Sequence, residues 1–253
     1  MNSVPDKLKT IIIFGGTSDI AQKCVLNWLS KRNYRILLVG RNHTKLERIA
    51  DDLKIRFPLS DFEIFVLDFY DSKKISNFTS LVFSRFQVHI SLVAHGTLSN
   101  QSLCENDLGY LKSELENNGL SVCLISESII NEFSNQGHGS LAVIGSVAGD
   151  RIRKSNYTYG SAKSLIESYI GGLQHRFHNK PINISLIKPG PTRSSMTKNV
   201  EGSINLADID KVAATIVEGI NGKKNIIYAP YKWKYIMLII RLLPNFIFNR
   251  LDI

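Results

Sequence analysis

The chain has 253 residues, 43% of them hydrophobic and 21% charged, with three cysteines. That composition excludes a disordered chain, a collagen-like repeat and a disulfide framework. Lys and Arg number 31 against 22 Asp and Glu, a net charge of +9, which favours anionic partners such as a nucleotide, a nucleic acid or lipid headgroups.

The charged start, Met1 to Thr10, is followed by only a short apolar run, Ile11 to Phe14, too brief for a signal peptide. No stretch approaches the ~20 apolar residues of a spanning helix. Cys24, Cys104 and Cys123 lack metal-ligand spacing and read as buried free thiols in a cytoplasmic protein, with no metal expected. Along the chain, strands are expected at Thr10–Phe14, Arg35–Val39, Glu63–Leu67, Ile90–Ala94, Ser140–Ile144, Asn183–Ile187 and Asn225–Tyr228. Helical periodicity falls between them, at Ile20–Ser30, Lys45–Ile55, Lys73–Phe83, Asn118–Asn135, Tyr157–Phe177 and Ala207–Ile220. Near-continuous apolar strands alternating with helices predict an α/β domain with a doubly wound parallel sheet of about seven strands. That single domain is drawn over 1–221. The basic, apolar segment 222–253 is set apart as a tail, not as a second domain.

The first strand runs into Gly15-Gly16-Thr17-Ser18-Asp19-Ile20-Ala21. A glycine-rich turn opening a helix lets the backbone approach a pyrophosphate at the positive helix end. This predicts a dinucleotide site that includes Gly15, Thr17, Ser18 and Ile20. After the second strand comes Gly40-Arg41-Asn42. An acid there favours NAD, whereas Arg41 offers a fork to a 2′-phosphate and favours NADP(H) over NAD(H). An ordinary solvated arginine is the bland alternative. Asp68 is read either as an acceptor for the adenine amino group or as a turn aspartate.

Tyr159-Gly160-Ser161-Ala162-Lys163 opens a helical stretch, so Tyr159 and Lys163 share one face. A nearby ammonium is expected to lower the phenol pKa and make it an acid–base catalyst. Tyr70/Lys74 and Tyr228/Lys232 have the same spacing. Only Tyr159 has a serine, Ser146, ending a strand 13 residues upstream.

These residues resemble the classical short-chain dehydrogenase/reductase family over the whole chain up to the tail. The resemblance implies a Rossmann fold and an oxidoreductase. In it Tyr159 would be the general acid, Lys163 would tune it and hold the nicotinamide ribose, and Ser146 would polarise the substrate oxygen. Asn118, 28 residues before the serine, would hold a relay water. Ala94 and Gly96 lie where the family has an Asn-Asn-Ala-Gly turn, Pro189-Gly190 matches its turn near the nicotinamide, and Ser194 takes the place of a cofactor-contacting threonine. Two departures stand out. Asp19 is acidic beside a pyrophosphate, which suits it only if its side chain caps the helix and turns away. His95 occupies a small residue's place, read first as a packed loop histidine and second as a substrate contact.

The departures and the Trp-, Arg- and Pro-marked tail resemble the decaprenylphosphoryl-2-keto-ribose reductase type. That implies a keto-sugar on a polyprenyl phosphate, in cell-surface polysaccharide synthesis. Lys232, Lys234 and Arg241 flank Ile236–Ile240 among aromatic residues, a pattern suited to an interfacial helix on anionic lipid at the inner face of the membrane. A helix packed over the substrate pocket or at a subunit interface is the equal alternative. The family resemblance implies a homodimer or homotetramer. No recognition module for nucleic acid is present. A reductase of a 3-oxoacyl, steroid or other apolar carbonyl compound is the second enzymatic reading. A non-catalytic nucleotide-binding scaffold is the reading from another class.

Overall fold

The computed structural model describes residues 8–198 and 206–251, so most of the charged start lies outside the described residues. Strands β1 (Lys9–Phe14), β2 (Tyr34–Gly40), β3 (Asp61–Val66), β4 (Val88–Val93), β5 (Gly139–Ile144), β6 (Ile182–Pro189) and β7 (Ile226–Ala229) form one sheet. Its order is β3-β2-β1-β4-β5-β6-β7 and every pairing is parallel. The helices in chain order are α1 (Asp19–Leu29), α2 (His43–Arg56), α3 (Ser72–Arg85), α4 (Gln101–Asn106), α5 (Leu108–Leu115), α6 (Ser121–Gln136), α7 (Tyr157–Arg176), α8 (Ile209–Asn221), α9 (Lys232–Leu242) and α10 (Asn245–Phe248).

The apolar runs form strands because both faces of the sheet are covered. Successive side chains of a strand point to opposite faces. In β1, Ile11 and Ile13 enter the core beneath α1, α2 and α8, while Ile12 and Phe14 enter the core beneath α3, α6 and α7. All four are fully buried. The seven expected strands and six expected helices are present, with ends shifted by a few residues.

The segment between β4 and α6 differs from expectation. The helix expected to begin at Asn118 is already helical from Leu108, and it passes through a π-helical turn at Glu116–Leu120 before becoming α6. Asn118 therefore sits within a continuous helical stretch. The overlooked signals are caps rather than periodicity. Asn100 accepts from the Leu103 amide to start α4, and Asp107 accepts from Gly109 and Tyr110 to start α5.

The sheet also continues past residue 221, because β7 pairs with β6. Only α9 and α10 lie beyond it. Met237 of α9 is buried, while Leu238, Ile239, Leu242 and Phe246 of the same tail are exposed. No helix among the described residues is long and apolar enough to cross a membrane.

Candidate active site

The strand order reverses between β1 and β4, so their connections leave in opposite directions and open a crevice at the carboxyl edge. A cleft of about 570 Å³ occupies that crevice. Of the residues expected to bind a cofactor, Gly15, Thr17, Ser18, Ile20, Arg41, Ala94, Gly96 and Ser194 all line it. Gly15 adopts φ +84°, and a Cβ there would lie 2.6 Å from the His95 amide nitrogen. No L side chain fits at such a close approach of two backbones. Ser18 is the N-cap of α1, yet its hydroxyl makes no capping bond.

One end of the cleft is cationic. Arg41 and Lys45 both line it, with Asn42 capping α2 between them through the Lys45 amide. Lys45 escaped the sequence reading, although it stands one helical turn beyond Arg41. Asp19 is the one acidic side chain among the described residues lining the cleft. It does not cap α1, as the sequence reading required. Instead its Oδ2 accepts from the Ser195 amide at 2.6 Å, which ties the start of α1 to the segment after β6 that carries Ser194. Asp68 is exposed, and its Oδ1 accepts from the Tyr70 amide at 3.0 Å. That is the turn geometry, and Oδ2 lies 4.0 Å from Lys74 Nζ. Pro189 ends β6 and does not line the cleft. Cleft size, the glycine cradle and the cationic end fit a nicotinamide dinucleotide.

Beside the cleft the structure brings Ser146, Tyr159, Lys163 and Asn118 together. Ser146 follows β5, and its hydroxyl oxygen accepts from the Ala148 amide at 3.1 Å. That bond leaves the Ser146 hydroxyl beside Tyr159 on the first turn of α7, where it favours the phenolate. Lys163 is one turn further along α7, with Nζ 5.5 Å from the Tyr159 ring centroid. Lys163 is buried, and its Nζ makes one long hydrogen bond, 3.4 Å to the Ile144 carbonyl. The contact is built by close packing: a Cβ on Gly149 would lie 2.9 Å from the Lys163 carbonyl carbon. A Cβ on Gly96 would lie 3.6 Å from Lys163 Nζ and 2.9 Å from Asn118 Oδ1, so the cleft and the cluster adjoin at Gly96.

The electrostatics correct one expectation. Tyr159 was expected to be lowered by Lys163. Burial instead pushes the phenol above its ordinary value, with the Ser146 hydroxyl pulling partly back. Burial also lowers Lys163 to about 8. Desolvation is the leading cause for each group.

Asn118 is fully buried and fully bonded. Its Oδ1 accepts from the Thr97 amide at 2.8 Å, and its Nδ2 donates to Glu114 at 3.0 Å and to Thr97 Oγ1 at 3.2 Å. Glu114, itself buried, also accepts from Thr97 Oγ1 and Ser99 Oγ. The sequence reading missed Glu114 because α5 was not foreseen. Its signal was the four-residue spacing to Asn118. His95 is packed, as the first reading had it. Its ring lies 4.5 Å from that of Phe69, and Nε2 bonds Ser121 Oγ at 2.9 Å. Burial, then the Lys163 and Arg41 charges, push it down to about 3, so it is neutral.

The tail packs at the same edge. A Cβ on Gly190 would collide with the Trp233 indole at 1.9 Å. Arg151, just after Ser146, donates to the Arg241 carbonyl and to Asn245 Oδ1, and stacks 4.2 Å from the Phe248 ring centroid.

Comparison with known proteins gives a consistent picture. A family model described as short chain dehydrogenase matches residues 9–204. An uncharacterized oxidoreductase of Mycobacterium tuberculosis is 24% identical over 95% of this chain and 96% of its own length. Another from Streptomyces coelicolor is 23% identical over 96% of each. Among solved structures, a short-chain dehydrogenase from Sphingobium yanoikuyae in complex with NADPH superposes with a TM-score of 0.80. It shares 17% identity and covers 90% of this chain and 92% of that one. One from Burkholderia cenocepacia in complex with NADP gives 0.81 at 12% identity, covering 97% and 98%. Those structural likenesses show the fold, and the family match spans both the glycine turn and the Ser146/Tyr159/Lys163 cluster. The chain belongs to the short-chain dehydrogenase family and is an oxidoreductase.

Proposed function

We propose that this chain reduces a ketone to a secondary alcohol with NADPH in preference to NADH, and that the ketone is a keto-sugar carried on a polyprenyl phosphate. The observation that carries the reaction is the cluster of half-buried Ser146 and Tyr159 with buried Lys163, adjoining the dinucleotide-sized cleft at Gly96. A phenol pushed above its ordinary value stays protonated at neutral pH and suits the general acid of a reduction. Ser146 stands beside that hydroxyl and polarises the ketone oxygen that reaches it. As the oxygen gains charge it takes the Tyr159 proton, and the Lys163 ammonium stabilises the phenolate left behind. Asn118, locked by Thr97 and Glu114, orders the route by which Tyr159 is reprotonated. The bound nicotinamide supplies the hydride. Gly15, Thr17, Ser18, Ile20, Ala94, Gly96 and Ser194 would hold the dinucleotide, Asp68 would accept from the adenine, and Arg41 with Lys45 would hold the 2′-phosphate.

The substrate reading rests on the tail. Exposed Tyr235, Leu238, Ile239 and Leu242 lie on a helix bearing Lys232, Lys234 and Arg241, docked beside Gly190. An apolar face rimmed with cations suits the surface of an anionic membrane, where a lipid-linked sugar resides. On this reading the enzyme is cytoplasmic and works peripherally at the inner face of the membrane. Exposed Leu120 and Leu165, at the start of α6 and on α7, support self-association as a homodimer or homotetramer. The same apolar tail supports a second reading, in which the ketone is a 3-oxoacyl, steroid or similar apolar compound.

The test is oxidation of NADPH and NADH with a membrane extract containing a polyprenyl-phosphate 2-keto-pentose, with Tyr159→Phe as control. Turnover that needs Tyr159 and runs faster with NADPH is expected. Turnover only on apolar ketones moves the substrate to the second reading. NADPH binding without turnover on any ketone supports the scaffold instead.

A further inference from the structure

Arg41 does not hang free at the mouth of the cleft. Its Nη1 donates to the Tyr70 hydroxyl at 2.9 Å, and its Cζ lies 5.6 Å from the Tyr70 ring centroid. The Tyr70 hydroxyl in turn donates to Asn117 Oδ1 at 3.0 Å. Asn117 is 4% exposed. It is held by the π-helical turn and by donation from its Nδ2 to Thr97 Oγ1 at 3.0 Å. At its other end Tyr70 is held by the bond from its amide to Asp68. Tyr70 is thus a half-exposed side chain anchored at both ends, which is unusual for a loop tyrosine with no structural core to fill.

A phenolic hydroxyl has one proton to give. Asn117 takes it, so the oxygen faces Arg41 as an acceptor. The guanidinium carries five N–H donors in a rigid plane. One is engaged by Tyr70, and among the described residues no other side chain or carbonyl takes the remaining four, which are open to an anion. Long cationic side chains lose rotamer freedom when they bind, and holding one in place beforehand removes that loss.

We propose that Tyr70, anchored on Asn117, is a positioning residue for cofactor choice: it presents the Arg41 guanidinium to a 2′-phosphate. This rests on the cofactor reading above. The anchor belongs to the same network that locks Asn118, since both asparagine amides meet at Thr97 Oγ1. The phosphate end and the catalytic end of the cleft are therefore built on one polar layer.

The experiment is calorimetric titration of NADP+ and NAD+ into the wild type, Tyr70→Phe, Arg41→Ala and the double variant, which needs neither substrate nor turnover. Phe keeps the ring and removes only the hydroxyl. The wild type is expected to favour NADP+. Tyr70→Phe is expected to weaken NADP+ by about threefold to tenfold and leave NAD+ unchanged. Arg41→Ala should weaken NADP+ further, and the double variant should be no worse than Arg41→Ala, because Tyr70 acts only through the arginine. If Arg41→Ala abolishes selectivity while Tyr70→Phe keeps it, the positioning role is wrong and the cofactor reading stands. If Tyr70→Phe weakens both nucleotides equally, or adds fully to Arg41→Ala, the tyrosine shapes the pocket without positioning the arginine and the inference is overturned. If the wild type binds both nucleotides alike, or Arg41→Ala changes nothing, the inference and the cofactor reading fall together.

Discussion

Lys163 and Lys188 are both withdrawn from solvent, at 4% and 1% exposure, and their surroundings treat them in opposite ways. Lys188, on β6, lies 2.5 Å from an Asp150 oxygen and 2.5 Å from a Glu167 oxygen. Burial works against its charge, but the two carboxylates outweigh burial and hold its pKa above the ordinary value. Lys163 has no carboxylate within salt-bridge distance among the described residues, and burial lowers it to about 8. The contrast is sharper because Glu167 stands one turn beyond Lys163 on α7. The carboxylate that sequence spacing offers to Lys163 goes to Lys188 instead. A paired buried charge holds elements together, here β6, α7 and the loop after Ser146. An unpaired one weakens the fold and is kept where chemistry uses it.

The comparison breaks most visibly at Lys163. Lys163→Met should cut ketone reduction by about 10²–10⁴-fold. The same variant should be more stable than the wild type at pH 7 by about 1–3 kcal/mol, since an unpaired buried charge is gone. The sign follows from a pKa lower in the folded than in the unfolded chain. The wild type carries the penalty below about pH 8, and loses it as pH rises toward the unfolded value. Urea unfolding at pH 7 and pH 10 should therefore show the gap closing. A variant less stable than the wild type at pH 7 contradicts this account of Lys163.

Lys188→Met should do the reverse to stability. Among the described residues it leaves buried Asp150 with only the Tyr228 hydroxyl and Arg241 at 4.0 Å, and partly exposed Glu167 without its partner, at a cost of about 2–4 kcal/mol. A matched urea series reads the effect, and unchanged stability would mean that the network is not what holds these elements.

The smallest effect sharpens the comparison from the neighbouring His95. The ring is pushed down to about 3, from its ordinary value of 6.5. The unfolded chain takes up that proton first, so stability is lost as pH falls from 6.5 toward 3. At pH 4.5 His95→Asn should recover about 2–3 kcal/mol of the stability the wild type has lost there. Parallel pH profiles for the two proteins would exclude His95 as the source.

Much of this site was legible before any folding was considered. The alternation of Ile-rich runs with helical periods placed β1 and β5, and hence the turn at Gly15 and the serine at position 146. The spacing of Tyr159 and Lys163 placed both on one face of α7. What was hidden depended on partners far away in the chain. Asp19 was judged by its neighbours in sequence, but it bonds Ser195, 176 residues on. Tyr70 belonged to a Tyr-x-x-x-Lys match that was set aside, and its meaning came from Asn117 and Arg41. Glu114 lay in a segment whose helix is defined by caps, not by an apolar stripe.

Sequence alone determined the strand and helix order, the sheet type and the Ser146/Tyr159/Lys163 pattern, because these follow from local periodicity and spacing; Asn118 and the residues' roles followed from the family resemblance. Tertiary structure decided which charges are paired. It withheld Glu167 from Lys163, raised the Tyr159 phenol, silenced His95 and docked α9 against Gly190. Desolvation and hydrogen bonding depend on what distant segments bring within a few ångströms, and no local pattern carries that information.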